Sequence, residues 1–224
     1  MRLKNLLIWF VFTIAISGII AIPLGFLLEM LSGEMLFFDS PKMSAFTQML
    51  LAGLTLGSVA ILGFFAYLVF NWLALGLLRN TQLFQIIQLG VIILIGFPLV
   101  QFQFASFAHE TILIRLAIPI VVFVSAFVVS WWKVQKTKHQ AFVPTFFFMV
   151  TATVLEAFPA LNSKEGTLPF AYVLFTVLIL IVCNAYQISN LHRWTSPKKQ
   201  EDSSKQNKKA NPSKKASSSK VAKA

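Results

Sequence analysis

The chain has 224 residues, 57% of them hydrophobic and 23 of them Phe, while only 12% are charged, about half the share usual in a soluble domain. That much apolar surface has no hiding place in a water-soluble protein of this length, so a soluble globular domain is excluded and lipid is the expected solvent. The net charge of +11 is not a nucleic-acid signal, because nine lysines against Glu201 and Asp202 put +7 of it into residues 195–224 and leave +4 on residues 1–194.

A helix crosses ~30 Å of hydrocarbon with about 20 mostly apolar residues, and six runs meet that length: about 6–28, 45–70, 83–104, 111–132, 141–160 and 168–190. The first follows "MRLKN" and is longer than the apolar region of a signal peptide, without an A-x-A cleavage site. It reads as a retained first helix. In the second, Gly53 and Gly57 form a G-x-x-x-G that permits close helix approach, either within the chain or to a partner. The stretch "NWLALGLLRN" (71–80) that follows is short and amphipathic enough to lie along the inner membrane surface.

The third run carries Gln88, Gln101, Gln103 and Pro98, and the fourth carries Arg115 and Pro119. In the fifth, "VLEAFPALN" (154–162) places Glu156 after fifteen uncharged residues and just before Pro159, which marks the expected helix exit. The sixth holds Cys183 and Asn184. Uncharged polar groups such as Asn71, Gln88 and Asn184 are expected to hydrogen-bond across helices. Residues 195–224 are Lys, Ser, Asn and Ala with no apolar period, and read as a disordered cytoplasmic tail.

The loops set the expected orientation. The N-terminus, the 71–82 and 133–140 loops and the C-terminal segment hold 16 of the 19 cations; the opposite loops and adjacent helix ends hold six of the eight acids. By the positive-inside rule both termini are expected to be cytoplasmic. Trp9, Trp72, Trp131, Trp132 and Trp194 all fall near the proposed inner boundary, as an interfacial aromatic belt would place them. The expected fold is therefore all-α: a polytopic integral membrane protein with six transmembrane helices in residues 1–194.

An ionisable residue within a span is a functional candidate by default. Counting from Ala141 at ~1.5 Å per residue puts Glu156 roughly 22 Å from the inner boundary, on the outer shoulder of its span. Arg115 reaches a similar depth on the neighbouring fourth span. The two are candidates for a structural ion pair; the alternative is that each snorkels separately to the headgroups. A catalytic role for Glu156 lacks partners. There is one cysteine, and the sequence holds no H-E-x-x-H, Walker A or G-x-S-x-G. No catalytic residue, metal ligand or cofactor is expected. The basic tail reads as a solvated spacer or as a contact for anionic lipid; nucleic-acid binding is weakest, since no aromatic residue interleaves the lysines.

Three stretches, "GFFAYLVFNWLALGLLRN" (63–80), "FVPTFFFMVTATVLEAFPALN" (142–162) and "LIVCNAYQISNLHRW" (180–194), resemble the KinB-signalling pathway activation protein family of spore-forming bacteria. The likeness covers roughly residues 1–194 and leaves the tail outside. It implies a non-enzymatic, multi-pass protein of the cell membrane that promotes activation of a membrane sensor histidine kinase feeding the sporulation phosphorelay, by lateral contact through transmembrane helices. It brings no catalytic residues. Other classes to weigh are a small membrane transporter or channel, and a membrane enzyme acting at the outer face.

Overall fold

The computed structural model describes residues 3–33, 35–37, 43–78, 80–137, 139–161 and 168–195. Among them are six long helices: α1 (Leu3–Ser32), α2 (Ala45–Leu77), α3 (Thr81–Ser106), α4 (Ile112–Lys136), α5 (Phe142–Leu161) and α6 (Phe170–Thr195). A 3-10 turn, His139–Ala141, leads into α5. All six are long and apolar enough to cross a membrane, and no strand pairs with them among the described residues. The chain is an all-α, six-span membrane protein.

Local chemistry sets several helix ends. Helix α1 stops where Gly33 takes a φ of 67°, a left-handed conformation that only glycine adopts without strain. The Glu29 carboxylate then accepts from the Leu36 amide at 3.1 Å, which fixes the chain as it leaves the helix. Ser44 caps α2 by accepting from the Thr47 amide at 3.3 Å, and Asn80 caps α3 by accepting from Gln82 at 2.9 Å. Pro23, Pro98, Pro119 and Pro159 all lie inside continuous helices, which a membrane bundle tolerates because neighbouring groups satisfy the freed carbonyls.

Helix α2 departs from the sequence expectation. Residues 71–77 do not form a separate surface segment; they continue α2 without a break. At 33 residues the helix is about 50 Å long, well beyond a ~30 Å hydrocarbon core. The run 45–77 contains no proline, and that lets one helix propagate throughout.

Helix α6 is the most buried of the six and α5 the next, while α4 shows the largest share of its surface. Val173, Phe175, Ile179, Leu180 and Ile188 of α6 and Phe148, Met149 and Val150 of α5 make up much of the core. Helices α1 and α2 pack through small residues. A Cβ on Gly53 would stand 2.5 Å from the Ala21 Cβ, 2.7 Å from the Ser17 carbonyl oxygen and 3.0 Å from the Gly18 Cα. A Cβ on Gly57 would strike the Ser17 hydroxyl. Both glycines of the G-x-x-x-G thus face α1 of the same chain.

An aromatic ladder ties α1, α2 and α5 together. Trp9 meets Phe64 edge-on at 5.0 Å, Phe64 meets Phe148 at 5.6 Å, and Tyr67 lies 4.7 Å from Phe148. This corrects the reading of Trp9 as a belt residue, since it is only 7% exposed and belongs to the core. Trp72, Trp131 and Trp132 do face outward. Trp9 differs because Phe64 supplies an edge-to-face partner for its ring and Phe10 a tilted one. Helices α2 and α3, though consecutive, make little contact along their length, and Phe70 and Phe84 meet at 6.3 Å.

Candidate functional site

Polar side chains converge where α5 and α6 pack against α2. Thr153 and Glu156 lie three residues apart on α5 and so share a face. Asn184 of α6 bridges them: its Nδ2 donates to Glu156 Oε2 at 2.8 Å and to the Thr153 hydroxyl oxygen at 3.2 Å. The other carboxyl oxygen, Oε1, lies against Gly63 of α2, where a Cβ would collide with it. Gly63 is therefore a notch for the carboxyl group, and no larger residue keeps the same approach. Cys183, next to Asn184 in α6, is buried as well.

The site sits deeper than residue counting along α5 suggests. Gly63 and Asn184 belong to the middle stretches of α2 and α6. A helical side chain leans toward the N-terminus of its own helix, which carries the Glu156 carboxyl inward from the shoulder. Its acceptor capacity is only half used. Glu156 Oε1 and Asn184 Oδ1 are buried without a hydrogen-bond partner, as is the Thr151 hydroxyl five residues earlier on α5.

Arg115 does not meet Glu156, which corrects the expected ion pair. Its Nε donates to the Glu110 carbonyl at 3.0 Å, a second nitrogen donates to the Ala108 carbonyl, and the guanidinium lies 5.7 Å from the Phe104 ring centre. The physical reason is local. The short connection between α3 and α4 leaves the Ala108 and Glu110 carbonyls outside either helix, and a guanidinium with five donors in the first turn of α4 is well placed to take them. The face of Glu156 points instead toward α2 and α6.

The other polar candidates diverge. Gln88 is fully buried with neither amide atom partnered, Gln103 is buried with an unpartnered Oε1, and Asn71 makes no interhelical hydrogen bond among the described residues. Gln187, which sequence reasoning did not single out, is likewise buried with both amide atoms unpartnered. It lies three residues beyond Asn184 on the same face of α6, a spacing that was available as a signal. No group of three or more His, Cys, Asp or Glu is placed to hold a metal among the described residues.

Beside the carboxyl group, α2, α3 and α5 enclose a cavity of about 540 Å³. Apolar side chains line it, including Leu62, Ala66, Val91, Ile95 and Phe147, with Tyr67, Thr151 and Glu156 as the polar members. Its existence follows from the sparse contact between α2 and α3, which leaves α5 as the floor of a cleft open on one side.

A family model described as KinB-signalling pathway activation in sporulation matches residues 7–194. The chain belongs to this family. A KinB-signaling pathway activation protein from Bacillus subtilis (strain 168) is 25% identical over 201 residues, which cover 88% of this chain and 100% of that protein. No solved structure matches the chain. The KinB-signalling family match takes in all but the ends of the six-helix bundle, so the Glu156–Asn184 site and the cavity lie within it, and the Lys-rich segment from 195 onward lies outside.

Proposed function

We propose that this chain is a non-enzymatic protein of the cell membrane that promotes activation of a KinB-type sensor histidine kinase feeding the sporulation phosphorelay, by lateral contact between transmembrane helices. The observation that carries the reading is the family match across residues 7–194. A second consideration supports it. The described residues form apolar helices joined by short connections, so a partner protein meets mainly a lipid-facing surface, and helices associate in lipid through close packing and interhelical hydrogen bonds.

An activator of this kind works by binding the active arrangement of the kinase more tightly than the inactive one. The end of α2 is the contact we favour, because it runs past the length a bilayer needs and exposes Trp72, Leu73, Leu75 and Leu77. In this reading both termini are cytoplasmic, as the distribution of Lys and Arg favours, and residues 195–224 form a basic tail outside the family role. The Glu156–Asn184 bridge acts as an architectural clamp between α5 and α6.

The test is a deletion strain scored for sporulation and kinase-dependent phosphorelay output, complemented with residues 1–224 or 1–194. Both forms are expected to restore sporulation, and crosslinking from position 72 or 75 is expected to capture the kinase. A deletion without any sporulation defect overturns the proposal.

A further inference from the structure

The structure assigns a ligand to the exposed C-terminal end of α4: a glycerophospholipid of net negative charge, its phosphate held by Lys136 and Lys133 and an acyl chain laid along an aromatic stripe of the same helix. Phe127, Val128, Trp131, Trp132 and Gln135 fall at i, i+1, i+4, i+5 and i+8 and line one shallow groove. The Phe127 and Trp131 rings stack 6.2 Å apart, and Phe142 of α5 meets Phe127 edge-on at 5.8 Å, which fixes the deep end of the stripe. Phe127, Val128, Trp131 and Trp132 are nevertheless between 45% and 58% exposed, so the stripe is open to a ligand from the bilayer.

Charge decides the class of lipid. The Lys136 ammonium stands 3.5 Å from the centre of the Trp132 ring, so a cation is held at the mouth of the groove by a ring that lines it. The ring occupies one side of an ammonium that has three donors. Lys133, half-buried, lies in the same last turn. Neither lysine has an acidic partner among the described residues, and the sequence contains no Asp or Glu from 111 to 155. A phosphate supplies the missing anion. Depth agrees with this division of parts. Helix α4 has 25 residues and is ~37 Å long, more than a ~30 Å hydrocarbon core, so its last turn reaches the headgroups. Phe127, nine residues before Lys136, lies ~13 Å deeper, among the acyl chains. A second copy of this chain is a poorer occupant, because the same stripe on both copies sets lysines against lysines, and like charges repel.

The experiment uses the full chain in nanodiscs of mixed phosphatidylglycerol and phosphatidylcholine, with a photoactivatable group on the acyl chain of one lipid or the other. Labelled positions are then read by peptide mass spectrometry. At equal mole fraction, residues 127–135 are expected to take more label from phosphatidylglycerol, by about fivefold for each lysine that reaches the phosphate. Lys136→Gln, a change to an exposed side chain, is expected to lower that ratio about fivefold, and Lys133→Gln added to it to lower the ratio further. Lys136→Arg keeps the charge and is expected to keep the ratio. The lysines of residues 195–224 stay in place throughout, so any anionic lipid that they gather is common to all the variants. Should the double variant fail to fold, Lys136→Gln alone decides. Equal labelling by the two lipids means that ordinary annular lipid covers the stripe, and overturns the assignment. A ratio that Lys136→Gln leaves unchanged also overturns it, as does crosslinking of residues 127–135 to a second copy in place of lipid.

Discussion

Replacing Gly53 with Ala adds one methyl group to the seam between α1 and α2. In place, that methyl lies 2.5 Å from the Ala21 Cβ, 2.7 Å from the Ser17 carbonyl oxygen and 3.0 Å from the Gly18 Cα. Carbon atoms rest comfortably at about 3.5–4.0 Å, and none of these three atoms turns away by changing a rotamer. The helices must part by about 1 Å. Overpacking of this kind costs about 1–3 kcal/mol, while Ala gains up to ~1 kcal/mol over Gly in helix propensity. The net expectation is a loss of about 1–2 kcal/mol, or roughly 2–8 °C in melting temperature for a chain of this size.

The protein carries its own reporter for the measurement. Cys183 is the single cysteine and is buried in the core, so a thiol-reactive fluorophore labels it only as the bundle opens on heating in detergent. Gly76→Ala and Gly90→Ala serve as controls, because a Cβ at either position meets nothing within 4 Å. Both are expected to melt with the unaltered protein or slightly above it. Gly57→Ala should fall between, since its first obstacle is the Ser17 hydroxyl, the end of a side chain that can rotate. If Gly53→Ala melts together with Gly90→Ala, the close α1–α2 seam is wrong.

Other expectations use the same melting assay. Asn184→Leu removes the donor to Glu156 and Thr153 and leaves both carboxyl oxygens unpaired; it should cost about 1–3 kcal/mol, and adding Glu156→Met should recover much of that loss, whereas a double variant no better than the single one refutes the bridge. Arg115→Glu combined with Glu156→Arg should be no more stable than the sum of the two single changes, because the side chains have separate partners; a clear rescue would restore the ion pair. Trp9→Ala should cost about 3–5 kcal/mol, as truncation of a buried aromatic does, while Trp72→Ala, at an exposed ring, should leave the melting point within about 1 °C; equal effects would return Trp9 to the membrane surface.

The six spans were readable because each is a long apolar run and the thickness of a bilayer fixes how long a run must be. The partners of polar groups were far less so. Asn184 stood out as a polar residue in a span, yet its link to Glu156 joins two helices across 28 positions of sequence, and no local pattern encodes which face of α5 turns toward α6. Arg115 misled for the complementary reason: depth can be counted along a helix, but the carbonyls waiting in the α3–α4 connection come from local backbone geometry. Gly63 escaped notice because it lies six residues past Gly57, off the face that the G-x-x-x-G defines, and it becomes meaningful only beside the Glu156 carboxyl. The cavity left no trace at all, since it arises from two helices that fail to pack. Trp9 shows that position near a boundary says where a ring sits along the membrane normal, not whether it faces lipid or protein.

The most buried helix of the bundle, α6, is also the last of the six to leave the ribosome. Translation runs at about 5–20 residues per second, so α5 waits some seconds in the membrane with Glu156 lacking its donor. During that interval the partly made protein presents an unpaired acid to lipid or to the insertion machinery. Arrival of Asn184 supplies the missing donor. The contact that holds α5 to α6 in the finished protein is thus among the last that the growing chain can make.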